Sequence, residues 1–497
     1  MKSLWSQTTK IPSQKLLEAD LRIQNVVIGA GIAGILIAYL LQEKGQEVIV
    51  LEANEIASGQ TKNTTAKITS QHGLIYSDLI RNTGIERAKG YAMANEEAIR
   101  IYKEIITKEG IACHFEESPS FLYSLKEEGI TKLKKEEKAA KSLGITAEYI
   151  RGDKIDDLPF GVMGAVKFGG QAQFHPLEFI QRIAEKLTIY EHTKVLEVDE
   201  HFVITDRHVV VADNIIFATH YPFPIVPGYY FLRQHQSRSY AIAIEGEGVP
   251  ERMDGMYYGI DRDGLSFRHV EGKLIVGGGS HRTGKSLTRE RKVLQKPEEI
   301  HKNPVFIKKK VKMGGFCSLR EQIKKYYPNA TEAAYWAAQD CMPHDGIPFI
   351  GRFSIKHDNW YVATGFQKWG MTTAMVSAMI ISDQIIGKEN PYERVFSPQR
   401  LLIRAGYKPL FVDVWESIVG LTSGVFVKKE KKCTHMGCAL HWNEEEKSWD
   451  CACHGSRFSK EGHLIDSPAQ TDVKCVVKFC MKLYKITWNC ANFREIS

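Results

Sequence analysis

The C-terminal part of this 497-residue chain carries its most reactive side chains in two short runs. Cys433-Thr434-His435 is followed by Cys451-Ala452-Cys453-His454, a C-x-H and a C-x-x-H that together offer two thiolates and two imidazoles. Two chemistries use that donor set. A structural zinc ion would take all four ligands in one tetrahedron. A [2Fe-2S] cluster would divide them, with Cys433 and Cys451 on one iron and His435 and His454 on the other, which raises the potential above that of an all-cysteine cluster. Cysteine usage points to a metal centre. Cys113, Cys317 and Cys341 are scattered, whereas Cys433, Cys438, Cys451, Cys453, Cys475, Cys480 and Cys490 crowd the C-terminal end. In an intracellular chain such crowding favours ligation over a disulfide framework.

A second run suited to chemistry lies near the start. Gly29-Ala30-Gly31-Ile32-Ala33-Gly34 follows the strand-like Ile23 to Ile28 and opens an apolar helical pattern from Ile35 to Lys44. Gly29 permits the tight turn, Gly31 lets a pyrophosphate approach the positive helix N-terminus, and Gly34 lets helix and strand pack closely. A second strand, Glu47 to Glu52, ends in the acidic residue that would hydrogen-bond a ribose hydroxyl, with Ala53 beside it. The order of strand, glycine turn, helix, strand and acid reads as a dinucleotide site.

NAD and FAD share this opening, and two later segments favour FAD. Asp213 to Thr219, containing Ala218 and Thr219, is a strand running into a turn. Trp360 to Gly365 is another strand, after which Trp369-Gly370-Met371-Thr372 opens a helix to about Ile386. A second helix N-terminus there would face the electron-rich pyrimidine edge of a flavin.

With these segments in place, residues from about 20 to 395 resemble the D-amino-acid-oxidase-like family of FAD-dependent oxidoreductases. The resemblance implies that Ala57-Ser58-Gly59-Gln60-Thr61 through Thr65-Ala66-Lys67-Ile68 forms the flavin-contacting loop, and that Lys194-Val195 lies on the adenine side. It also implies a discontinuous FAD-binding domain with an inserted antiparallel α+β substrate domain, in line with the strand-like Ser239 to Glu245, Gly264 to Val270 and Lys273 to Gly278.

In that family's amino-acid oxidases an arginine shortly before a D-G-x-P-x-x-G segment clamps the substrate carboxylate. The segment is present here as Asp345-Gly346-Ile347-Pro348-Phe349-Ile350-Gly351, but the arginine position falls on Asp340. A carboxylate there would repel a carboxylate and attract a cation, so the expected substrate is a small amine. Arg268, His281, Tyr258 and His344 are further candidates to reach the flavin face.

The C-terminal runs resemble Rieske [2Fe-2S] domains. By that resemblance Cys438 and Cys453 form the disulfide tying the two cluster loops, Ser456 donates toward a bridging sulfide, and Ser467-Pro468-Ala469 is the loop that covers the cluster. Phe458 stands where the highest-potential members carry tyrosine, and losing that hydroxyl lowers the potential. The lead-in is short. Val425 to Lys432 reads as the sole strand before the first cluster loop, and the segments 475–482 and 483–488 as strands that replace part of the base.

The elements needed to position these sites exceed one core, since cores stop growing near ~250–300 residues. The expected architecture is α/β: an FAD-dependent oxidoreductase over 1–400, a linker over 401–424, and a small, shortened all-β Rieske domain over 425–497. Within the first part, about 20–80, 150–225 and 335–395 bind FAD, and about 81–149 and 226–334 form the substrate domain. The 66 Lys and Arg against 59 Asp and Glu leave +7, spread along the chain and unlike the clustered footprint of a nucleic-acid-binding protein. Met1 to Lys10 lack the apolar core of a secretory signal, so a cytoplasmic location is expected. No membrane span is expected. The apolar run Val26 to Leu41 is short of the ~20 residues a helix needs and is broken by glycines, while Val412 to Val427 contains Asp413 and Glu416. The function these readings imply is oxidation of a small amine-like molecule by FAD, with electrons leaving singly through the cluster to a redox protein or quinone. A flavo-iron-sulfur electron carrier without an organic substrate is the alternative.

Overall fold

The computed structural model describes residues 1–294, 306–400, 403–428 and 431–473. Cys475, Cys480, Cys490 and the strands expected over 475–488 lie outside the described residues.

The apolar runs of the first half become parallel strands because both of their faces are covered. Val48–Leu51 is buried at every position, and Val26, Val27 and Ile28 are likewise buried in Leu21–Ile28. These strands sit in an eight-stranded sheet with Val209–Phe217 and Trp360–Thr364 parallel to them. Ile28 lies opposite both Leu51 and Phe217, and Phe217 opposite Val362, so four carboxyl ends reach one level. The helices Ile32–Glu43 and Gly370–Ile385 start at that level and pack side by side. Ligands of open α/β sheets bind outside such carboxyl ends.

A second eight-stranded sheet, mostly antiparallel, runs in the order Thr331–Pro343, Gln234–Glu245, Lys273–Arg282, Ser266–Val270, Met256–Gly259, Ser120–Ser124, Gly164–Phe168, Ala147–Arg151. Two of its strands depart from the sequence reading. Gly164–Phe168 and Thr331–Pro343, placed by sequence with the FAD-binding segments, are hydrogen-bonded into this sheet, the latter over its length to Gln234–Glu245. Gly164–Phe168 is buried at nearly every position and Thr331–Pro343 alternates over its second half, but pairing partners are set by long-range register, which local pattern does not carry.

The C-terminal module is a four-stranded antiparallel sheet, Leu440–Asn443, Ser448–Cys451, Arg457–Ser459 and Leu464–Asp466. The segment before it corrects the sequence reading. In place of a linker over 401–424 and a strand from Val425, there is one helix, Ile403–Phe426. Gly420 and Gly424 explain its position. A Cβ on Gly420 would come within 2.3 Å of Cys453 Sγ, and one on Gly424 within 2.2 Å of the Gly437 carbonyl, so the helix lies directly against the cluster loops. The glycines look like loop residues in sequence and act as contact points in space.

Candidate functional site

The glycine turn performs the packing tasks read from its spacing. Gly29 has φ +106° and a Cβ there would meet the Ala218 carbonyl at 2.7 Å, while a Cβ on Gly34 would meet the Gly29 carbonyl at 1.9 Å. Gly31 caps the helix without a side-chain acceptor, and Thr61 Oγ1 accepts from the Ile32 amide at 3.0 Å. Glu52 accepts from the Ala30 amide at 2.7 Å and the Asn54 amide at 2.9 Å; burial raises its carboxyl, which those amides oppose.

These groups border a cavity of about 650 Å³, within the usual ~300–1,000 Å³ of ligand sites. Of the residues expected at FAD, Gly29, Gly31, Ile32, Ala33, Glu52, Ala53, Gly59, Thr61, Lys67, Val195, Ala218, Thr219, Gly370 and Met371 line it. Gly34, Ala66, Gly365 and Thr372 stand behind the lining. Gly365 (φ +79°) packs on Pro343, and Thr372 Oγ1 donates to the Thr69 carbonyl at 3.1 Å.

The substrate-side candidates separate. Tyr258 and Asp340 line the cavity, and the Tyr258 ring tilts against Trp369 at 5.4 Å. Burial raises the Asp340 carboxyl, opposed by the nearby Lys368 and His220. Lys368 donates its Nζ to Ser280 Oγ at 2.7 Å. Arg268 does not line the cavity. Its guanidinium is spent on the Thr65, Ala66 and Phe174 carbonyls and on Gln173, and it lies over Trp5, so it fastens the segment at Thr65 and Ala66 from behind. His281 is also off the cavity, its Nδ1 bonded to the Gly279 carbonyl and its ring stacked on Tyr240. His344 turns the other way, to Asp413 at 2.5 Å. Strand position was legible for all of them. The direction of each side chain depends on which neighbouring carbonyl or carboxylate is unsatisfied, and sequence does not give that.

Lys67 is a more chemical residue than its place in a loop suggested. Its buried Nζ donates to the Tyr257 carbonyl at 2.9 Å and Ser266 Oγ at 2.7 Å, and burial, aided by Arg268, brings the ammonium down to about 7.

In the C-terminal module the two loops repeat one design. The Cys433 amide donates to the Cys438 carbonyl and Gly437 to Cys433, while Cys451 donates to Ser456 and Gly455 to Cys451. Cys433, Cys451 and His454 are buried, and the rings of His435 and His454 meet edge to face at 5.0 Å. Both Nδ1 atoms are buried without a hydrogen-bond partner. Burial lowers both imidazoles, His435 to about 4, which favours the neutral form that ligates. Two orphaned nitrogens beside two buried thiols are the donor set that a mixed-ligand cluster requires. Ser456 Oγ accepts from the Ala469 amide at 3.0 Å, pinning the loop 467–469 over the site. Cys438 and Cys453, the expected disulfide, are free thiols with sulfurs within 4.8 Å of each other and of Cys451.

A family model described as FAD dependent oxidoreductase, DAO, matches residues 25–384, and one described as Rieske [2Fe-2S] domain matches residues 404–477. The chain is a DAO-family FAD-dependent oxidoreductase with a Rieske domain. This flavo-Rieske protein is 32% identical to YhfW of Bacillus subtilis (strain 168), named as a Rieske 2Fe-2S iron-sulfur protein, over 95% of this chain and 96% of the relative. A cytochrome b6-f complex iron-sulfur subunit of Nostoc sp. is 30% identical over 20% of this chain and 54% of its own length. Among solved structures, glycine oxidase from Geobacillus kaustophilus has a TM-score of 0.61 at 15% identity, covering 77% of this chain and 99% of that one. L-proline dehydrogenase from P. horikoshii has 0.58 at 18%, covering 77% and 98%. These likenesses establish the fold. The DAO family binds FAD and the Rieske domain a [2Fe-2S] cluster, and among the described residues no helix is long and apolar enough to cross a membrane.

What sequence reading missed is the joint between the two parts of the flavo-Rieske protein. Leu464, Ile465, Asp466, Ser467, Ala469 and Gln470 of the Rieske module line the same cavity as the glycine turn. Gln60 donates to Asp466 at 3.1 Å and Lys194 to the Gln470 carbonyl at 2.6 Å. Gln339 Nε2 donates to Gln236 Oε1 at 2.7 Å and to the Gly455 carbonyl at 2.8 Å. Arg282 reaches the Ala452 and Cys453 carbonyls at 2.8 Å and pairs with Asp413, which also takes His235 at 3.1 Å. Further out, Glu446 is enclosed by Arg238, Arg457 and the Tyr240 hydroxyl. No short motif announces such residues, because each is ordinary until its partner arrives from another part of the chain.

Proposed function

We propose that this flavo-Rieske protein oxidises a small amine at FAD and releases the electrons one at a time through its cluster to a redox protein or quinone. The observation that carries the reading is the shared wall: Leu464 to Ser467, Ala469 and Gln470 of the C-terminal module line the same cavity as the glycine turn. When bound, FAD supplies two-electron hydride acceptance and the cluster single-electron transfer.

The chain's own residues fit these tasks. Gly31, Ile32 and Ala33 present the positive end of a helix to a pyrophosphate, and Glu52 is placed for a ribose hydroxyl. Gly370 and Met371 open the second helix toward the cavity. Cys433, His435, Cys451 and His454 would hold the cluster. Asp340 supplies negative charge where the amino-acid oxidases carry arginine, which favours a cationic group over a carboxylate. Tyr258 and Trp369 form an apolar wall that orients the substrate carbon and excludes water. Lys67, with its proton held near neutrality, can accept one from a substrate ammonium, leaving the free amine that hydride loss needs.

Anaerobic titration with a panel of amines and amino acids, following flavin absorbance and the Rieske EPR signal together, tests the reading. The expected result is flavin bleaching with appearance of the reduced-cluster signal for amines lacking a carboxylate. Bleaching by amino acids alone would overturn the substrate, and bleaching without an EPR signal would overturn the exit route.

A further inference from the structure

The helix Ile403–Phe426 has two unlike faces. Toward the protein it turns Gly420 and Gly424 onto the cluster loops, and the Ala439 amide donates to the Gly420 carbonyl at 3.0 Å. Its two carboxylates are also turned inward and paired: Asp413 is buried with Arg282, His235 and His344, and Glu416 bonds Lys285 at 2.6 Å. Toward solvent it presents Phe411, Trp415, Ile418, Val425 and Phe426, at i, i+4, i+7, i+14 and i+15, one stripe of the helix. The exposures are large: 73% for Phe411, 64% for Trp415 and 88% for Phe426. Thr422, the polar residue in this stripe, has its hydroxyl bonded back to the Ile418 carbonyl at 2.8 Å. An apolar face of this extent marks an interaction surface.

The charge at its end says which kind. Lys428 and Lys431 follow the last turn, both exposed. The helix therefore combines an outward apolar and aromatic stripe, inward acids and a cationic C-terminal end, while lacking the long apolar window of a spanning helix. Helices that lie in a membrane interface have this composition, the stripe in the acyl boundary and the cations among anionic headgroups. A second copy docked on the same face would bring further lysines to a surface with no exposed carboxylate on the helix to meet them.

We propose that the exposed stripe of Ile403–Phe426 binds flat on an anionic bilayer surface, holding the cluster loops one helix diameter, about 10 Å, from the lipid.

Co-sedimentation of the full-length holoprotein with vesicles tests this, using phosphatidylcholine alone and a 3:1 mixture of phosphatidylcholine and phosphatidylglycerol. The expected result is binding to the anionic vesicles that 0.5 M salt weakens. Two variants, Trp415→Glu with Phe426→Glu, and Lys428→Glu with Lys431→Glu, should each lower the bound fraction at least tenfold while flavin absorbance and Rieske EPR stay unchanged. The second pair lies outside the apolar stripe, so it answers for the first if that one misfolds. Recovery of the wild-type protein in the supernatant with both vesicle types would overturn the proposal. So would binding that neither pair of substitutions alters. A concentration-dependent dimer that Trp415→Glu dissolves, without vesicle binding, would assign the face to a second copy instead.

Discussion

Gln236 Nε2 lies 2.8 Å from the backbone carbonyl of His454 and donates to it, joining a strand of the substrate sheet to a proposed cluster ligand. The same nitrogen reaches the Ser467 carbonyl at 2.8 Å, in the loop over the cluster, and Gln339 supports its oxygen. One buried amide thus fixes one ligand loop and the loop that covers it to the same strand.

Replacing Gln236 by Leu leaves two buried carbonyls unpaired, at about 1–3 kcal/mol each. The expected outcome is a flavin reduced by substrate at the wild-type rate and a cluster reduced about tenfold more slowly, read by stopped-flow absorbance. Equal slowing of both phases would place Gln236 in substrate binding.

Glu446→Ala leaves the buried Arg238 without its carboxylate, while Arg457 keeps Asp450 and Asp466. Removing one partner of a buried ion pair costs roughly 3–5 kcal/mol, so a fall of that order in unfolding free energy is expected by chemical denaturation. Burial would raise the Glu446 carboxyl, but Arg238, Arg457 and Tyr240 hold it below its ordinary value. A depressed carboxylate contributes stability above its unfolded pKa, about 4.3, and loses it as pH falls through the lower folded value. Acid unfolding of the wild type should therefore begin below about pH 4.3, and the variant should lack that component.

Asp340→Asn removes the charge proposed to meet an amine. A hydrogen bond to a charged group is worth ~1.5–3 kcal/mol, so KM for the amine should rise about tenfold or more with kcat little changed. An unchanged KM in steady-state kinetics would remove Asp340 from the substrate site.

Lys67 releases its proton as pH rises through about 7. Above that pH the cavity loses a positive charge and gains a base, so kcat/KM for an amine should climb from pH 6 to 8. Lys67→Met should flatten the profile; an unaltered profile would show that another group titrates.

Cys438 and Cys453 are adjacent thiols beside the cluster loops, and their bridge is a proposal from Rieske resemblance. Mass spectrometry of the alkylated, non-reduced holoprotein should find a peptide linked through these two. Cys438→Ser should then shorten cluster lifetime, read as decay of the EPR signal, while leaving FAD bound.

What the sequence determined by itself is local. Gly29 and Gly34 between two strands specify a tight turn because only glycine fits those approaches, and Cys433, His435, Cys451 and His454 offer a metal donor set that the resemblance of their flanks assigns to a [2Fe-2S] cluster. Strands and helices around them followed from apolar periodicity. The tertiary structure decided the rest. Arg268 became a loop fastener and His344 a partner of Asp413 because buried donors go to whichever acceptor is nearest, and that acceptor lies far along the chain. The helix Ile403–Phe426 read as linker because its glycines and acids make sense only against Cys453, Gly437 and Arg282. One of the contacts that join the two parts, Gln236 to His454, spans more than two hundred residues, and pairings at that range are chosen by the packing of whole sheets.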